Sequence, residues 1–143
     1  MRLVPIVSRL GAIAVLTAAL CGCGGSGVVS RDGTVVGISE RDFSIRAPKI
    51  VPAGDAVLRV VNRGPDDHEL IVVRAEGGSL PMRDDGLTVD EERLEHSEAG
   101  VLEPGNPGSV RTIDVHLAPG RYVLLCNMAG HYLGGMRTEL VVE

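Results

Sequence analysis

Tryptophan is absent from this chain, and aromatic residues make up only 2% of it, one Phe and two Tyr in 143 residues. The core must therefore be built from Val, Leu, Ile and Ala, within a hydrophobic content of 44%. Lysine is nearly missing too: Lys49 stands alone beside 13 Arg, a bias that reads as genome composition rather than function. There is no basic excess, since the formal net charge is -5. That argues against a nucleic-acid partner, whose phosphates require a basic face. The chain has no repeats and no long low-complexity tract. Cysteines are few and odd in number, three in all, so they do not form a paired disulfide framework. The length suffices for one domain and not for two sizeable ones.

What is present begins with an export signal. Arg2 and Arg9 give a positive leading segment, and Leu10 to Leu20 is an uninterrupted run of eleven apolar and small residues. A bilayer-spanning helix needs about 20 such residues, so the run fits the apolar centre of a signal peptide instead. It ends in Leu20-Cys-Gly-Cys23-Gly-Gly. A small residue before a Cys, with Leu three before it, resembles a bacterial lipobox. Cys23 fits this better than Cys21, which is preceded by the bulky Leu20. Residues 1–22 are thus expected to be a lipoprotein signal peptide, and 23–33 a lipidated, flexible tether. A plain signal peptide with incidental cysteines is the alternative. Without Arg2 and Arg9, 12 basic side chains face 19 acidic ones, a balance of -7. Cys126 is then the one thiol left in an exported domain, an oxidation liability unless it has a use such as metal ligation.

Residues 34–143 read as all-β. Short runs rich in Val, Ile and Leu are separated by Gly, Pro, Asn and Asp clusters. Eight strands are expected: Thr34–Ile38, Phe43–Ile45, Ile50–Val51, Ala56–Val61, His68–Val73, Val110–Leu117, Tyr122–Cys126 and Arg137–Val142. Strands of this length with turns between them suggest a β-sandwich. Ala75 to Gly108 has few β-formers and many acids, and is read as a long surface excursion. Within it Thr88–His96 could be a short helix, with Thr88 as N-cap and Glu91 in the capping-box position.

The chemistry lies near the C-terminus. Cys126, His131 and Met136 follow one another at five-residue intervals on a loop containing Gly130, Gly134 and Gly135. A second imidazole, His68, follows the turn-dense segment Asn62–Asp67. Two His, one Cys and a distant Met form the ligand set of a copper electron-transfer site. A soft thiolate stabilises Cu(I), imidazoles suit both oxidation states, and a weak thioether tunes the potential. A loop bridging adjacent strands can place three ligands around one ion, while His68 ties the site to another strand.

Three pieces, Val60–Leu70, Ala118–Cys126 and the Cys126, His131, Met136 loop, resemble the cupredoxins, with the loop spacing of rusticyanin-like members. The resemblance runs from about Phe43 onward. It implies a cupredoxin-like Greek-key β-sandwich of about seven to eight strands. It also implies one copper per chain, cycling between Cu(II) and Cu(I) and held by His68, Cys126, His131 and Met136. One departure concerns position 69. Some cupredoxins carry Asn directly after the first His, where it ties loops together; here Glu69 stands there, and Asn62 could do a related task.

Each residue has a plainer alternative. Cys126 could be an inert buried thiol, Met136 a core gap filler and His68 a solvated turn residue. Met128 is a rival thioether, expected to point along the loop. His96 and His116 read as surface histidines. A nucleophilic Cys126–His131 pair lacks an acid in the loop to orient the His. The leading expectation is a non-enzymatic, monomeric one-electron carrier, anchored by lipid outside the cytoplasmic membrane and serving redox protein partners. The alternative is copper storage or delivery to an exported or membrane copper enzyme.

Overall fold

A computed structural model of the protein describes residues 33–75 and 79–143. Among them are nine strands in two sheets. β1 is Thr34–Arg41, β2 Ser44–Arg46, β3 Ile50–Val51, β4 Gly54–Asn62 and β5 His68–Arg74. After a single 3-10 turn at Glu91–Arg93 come β6 Glu98–Gly105, β7 Val110–Leu117, β8 Gly120–Leu125 and β9 Arg137–Val142. One sheet has the order β2-β1-β4-β7 and the other β3-β9-β8-β5-β6. β1 runs parallel to β4, and β3 parallel to β9; the other pairs are antiparallel.

Alternation decides which face of the first sheet points inward. Val36, Ile38 and Glu40 of β1 and Ala56, Leu58, Val60 and Asn62 of β4 are buried, at two-residue spacing. They meet Leu70, Val72, Tyr122, Leu124 and Leu140 of the second sheet in the main core. β5 breaks the alternation because it is covered on both faces. Ile71 and Val73 turn outward with Leu125 and pack against Val89 and Leu94 in a second, smaller core. Its unbroken apolar run Leu70–Val73 is the sequence mark of that double burial.

The expected eight strands all appear, with boundaries moved by a few residues, and a ninth lies inside the segment read as an excursion. β6 was masked in the sequence by Glu98 and Pro104. Both are tolerated because β6 is an edge strand of its sheet. Leu80, Met82, Val89 and Leu94 of the excursion form the lid of the second core, with Val89 fully buried. The helix expected over Thr88–His96 is only the 3-10 turn, and its cap is Asp90, without a side-chain hydrogen bond. Thr88 does not cap it, and Glu91 instead accepts a hydrogen bond from Asn127 (2.6 Å). The burial of Val89 and the Asn127 bonds outweigh a weak helix start. Residues 1–32, which hold the expected signal peptide, Cys23 and nearly all of the tether, lie outside the described residues.

Candidate metal centre

Cys126 comes directly after β8, and Met136 directly before β9. The two ends of the loop are pinned together by the Cys126 N–H, which donates to the Met136 carbonyl (3.1 Å). Between them the loop is closed by its own backbone. His131 donates to Met128 (2.9 Å), Gly134 to Gly130 (2.9 Å), Gly135 to Tyr132 (3.1 Å) and Met136 to the His131 carbonyl (2.9 Å). Gly130 at φ 82° and Gly135 at φ 106° supply the left-handed turns this winding needs. His68 opens β5 and is fully buried.

The fold brings one donor atom each from His68, Cys126 and His131 within 4.8 Å of one another. His131 Nδ1 lies 3.5 Å from Cys126 Sγ, and the two imidazole rings stand edge to face at 5.1 Å. Met136 is fully buried in the same core cluster as Cys126, whereas Met128 is only partly buried against it. His116 is exposed on the outer face, bonded to Asp55 (2.7 Å), and His96 is exposed as well. Neither joins the group.

Burial pushes the Cys126 thiol up, an effect opposed by the N–H groups of Glu69 and Met128 that donate to its sulfur. Burial also lowers the His68 pKa, with help from His131 and against the pull of Asp42 and Asp66. The site therefore favours neutral His68 and penalises an uncompensated thiolate. A bound cation would supply the missing compensation. The donor atoms fit one: His68 Nε2 is engaged by Asp42 Oδ1 at 3.0 Å, while His68 Nδ1 is buried without a partner. One thiolate, two imidazoles and a thioether suit a soft, one-electron transition metal.

Four residues around the site were not singled out from the sequence. Asn127 accepts from the Val89 N–H (2.6 Å) and donates to the Val89 carbonyl (3.0 Å), clamping the ligand loop to the lid. Its position right after Cys126 was the only available signal. Asp42, Phe43 and Gly64 reach the site through the fold and carried no signal. Glu69, noted as a departure, accepts the Asn127 N–H (2.9 Å) and so ties β5 to the loop despite being an acid. Asn62 donates to the carbonyls of Asp66 (2.7 Å) and Gly105 (2.9 Å) and accepts from Gly64 N–H (2.9 Å). It thereby shapes the turn that delivers His68.

His131 is partly exposed and has large apolar side chains beside it. Phe43 and Leu133 are each 52% exposed, and the Phe43 ring meets His131 edge-on at 5.6 Å. From Cys126 to Met136 there is no charged side chain.

No family model and no curated protein matches the chain. Solved structures do. Dithionite-reduced auracyanin from the photosynthetic bacterium Roseiflexus castenholzii is 21% identical over 78% of this chain and 98% of its own, with a TM-score of 0.61. Auracyanin A, a "blue" copper protein from Chloroflexus aurantiacus, is 19% identical over 78% of this chain and 99% of its own (TM-score 0.56). Rusticyanin from Thiobacillus ferrooxidans is 14% identical over 78% of this chain and 79% of its own (TM-score 0.56). Auracyanins and rusticyanin are cupredoxins. Two mixed sheets facing across one core, with the donor loop between the last two strands, give this chain the cupredoxin fold.

Proposed function

We propose that this protein is a type 1 copper protein that carries single electrons. The observation that carries the reading is the convergence of His68, Cys126 and His131, with a partnerless Nδ1 on His68. Copper bound there would supply a Cu(II)/Cu(I) couple. The chain's own residues do the rest. His68 and Cys126 are buried, so water is kept from the ion, and the loop hydrogen bonds hold the donors in one arrangement for both oxidation states. Met136 is the proposed axial thioether. His131, beside the exposed Phe43 and Leu133, is the proposed route for electrons to a redox protein partner. A small apolar contact there would suit a brief encounter, since weak redox interfaces are typically below about 1,200 Å².

Storage or delivery is the less favoured reading. A delivery site exposes its ligands for handover, whereas here three of the four proposed donors, His68, Cys126 and Met136, are fully buried. We place the protein outside the cytoplasmic membrane, anchored by lipid on Cys23, on the strength of the Leu20-Cys-Gly-Cys23 motif. Fractionation checks this: the unmutated protein should follow membranes, and Cys23→Ala should leave an unprocessed or soluble form. The function itself is tested by adding Cu(II) to the purified protein. An intense blue or green thiolate-to-copper band is expected, lost in Cys126→Ser with the fold retained. A colourless copper complex of the unmutated protein would overturn the reading.

A further inference from the structure

The hairpin joining β1 and β2 turns on two residues, Asp42 and Phe43, between the paired Arg41 and Ser44. Each tip residue meets one of the two imidazoles. Asp42 Oδ1 is 3.0 Å from His68 Nε2, and Phe43 packs on His131. The tip is held under some strain, since Phe43 sits at φ 60°, a left-handed conformation unusual for a bulky residue. Two glycines make room for it. A Cβ on Gly64 would collide with Asp42 Oδ1 and His68 Nε2, and the Phe43 ring occupies the corresponding space at Gly134. Gly64 thus lies against the aspartate–imidazole pair, in which His68 is fully buried and Asp42 is 24% exposed.

The chemistry of that pair is one-sided. A carboxylate can only accept, so the shared proton resides on His68 Nε2. The lone pair of the neutral ring is then on Nδ1, the buried atom without a partner. Carboxylates that hold the far nitrogen of a ligand imidazole fix its tautomer and raise its basicity. We propose that Asp42 is a positioning residue of the metal centre: it locks His68 as the Nε2–H tautomer, with Nδ1 free to ligate, and its negative charge favours the oxidised metal. The first half stands on geometry alone; the second rests on the copper reading above.

Two measurements on the purified full-length protein test this. In the metal-free protein, ring ¹⁵N NMR near pH 7.5 should show His68 protonated at Nε2 and bare at Nδ1. The opposite tautomer overturns the proposal and leaves the copper reading untouched. In the copper-loaded protein, Asp42→Asn keeps the size and the acceptor but removes the charge. It should retain the thiolate band while the Cu(I):Cu(II) ratio at a fixed potential rises roughly tenfold, a shift of about 59 mV for one electron. Affinity for Cu(II) should fall roughly tenfold. A variant that melts earlier yet keeps the unmutated potential would make Asp42 merely structural and overturn the proposal. Should Asp42→Asn not fold, Gly64→Ala replaces it. Its Cβ must displace the same pair, and an unchanged potential there overturns the proposal equally. Failure of the unmutated protein to give any thiolate band defeats the copper reading instead, and the ¹⁵N result still decides the tautomer.

Discussion

Met136 and Met128 offer chemically identical thioethers on one loop, and burial separates them: Met136 is fully buried and Met128 only partly so. A thioether donates weakly, and Cu(II) needs donation more than Cu(I) does. Met136→Leu should therefore raise the reduction potential, by roughly the 59 mV of a tenfold change, and Met136→Gln should lower it. Met128→Leu should leave it unchanged. Voltammetry on the three variants distinguishes an axial donor from a core filler. The Leu exchange itself should cost under about 1.5 kcal/mol of stability, being close to volume-conserving. Leu133 belongs to the same scale. At 52% exposed it faces solvent rather than the core. Leu133→Lys should slow electron exchange with partners while changing stability by no more than about 0.5 kcal/mol. Stopped-flow kinetics run beside thermal melting and the visible spectrum check this, and a disturbed spectrum would place Leu133 in the ligand sphere.

Elements, rather than single ligands, determine how firmly the donor loop is held. Glu69 on β5 and the Val89 segment of the lid both bond to Asn127, one to its backbone and the other to its side chain. The lid also closes the second core over Ile71, Val73 and Leu125. Its acidic surface and buried Val89 and Leu94 are two faces of one cover. Asn127→Ala would strip the buried Val89 N–H and carbonyl of their partner. Leaving such groups unpaired costs roughly 1–3 kcal/mol. Denaturant titration of the metal-free protein should register a loss of that size, with an unchanged slope if the fold is otherwise kept. A loss within error would mean that water replaces the side chain and that the lid is held by Val89 and Leu94 alone.

At the scale of the whole molecule, charge buried beneath the site shapes stability against pH. Glu40 is fully buried, with one oxygen bonded to Arg111 (2.6 Å) and the other without a partner. Burial raises its pKa to about 7 from the ordinary 4.5, although Arg111 pulls the other way. The folded protein thus holds this proton where the unfolded chain has released it. The stability it contributes is full below about pH 4.5 and is lost as pH rises through about 7. His68 has the opposite sign: its lowered folded pKa means that stability is gained as pH climbs toward its ordinary 6.5. Glu40→Gln isolates the first effect. Between pH 4.5 and 7 its metal-free stability should fall less, or rise more, than that of the unmutated protein, in denaturant titrations taken across that range. Parallel curves for the two proteins would mean that Glu40 stays ionised in the fold, paired to Arg111.

The sequence by itself determined the parts whose signal is local. Strand alternation in β1, β4 and β7, the turn residues between strands, and the five-residue spacing of Cys126, His131 and Met136 are properties of neighbouring residues. They were enough to expect an all-β sandwich and to name the three donors that the fold gathers, together with Met136 buried beside Cys126. What depended on distant neighbours was decided by the tertiary structure. β6 looks like a loop because an edge strand tolerates Pro104 and Glu98, and being an edge is a property of the sheet. The helix expected at Thr88 gave way to bonds from Asn127, 36 residues beyond Glu91. Asp42 meets His68 across 26 residues, and only the packing of the β1–β2 tip against Gly64 brings them together. Spacing along one loop is legible because the chain itself sets it; which side chains lie against that loop depends on the element that the fold lays alongside.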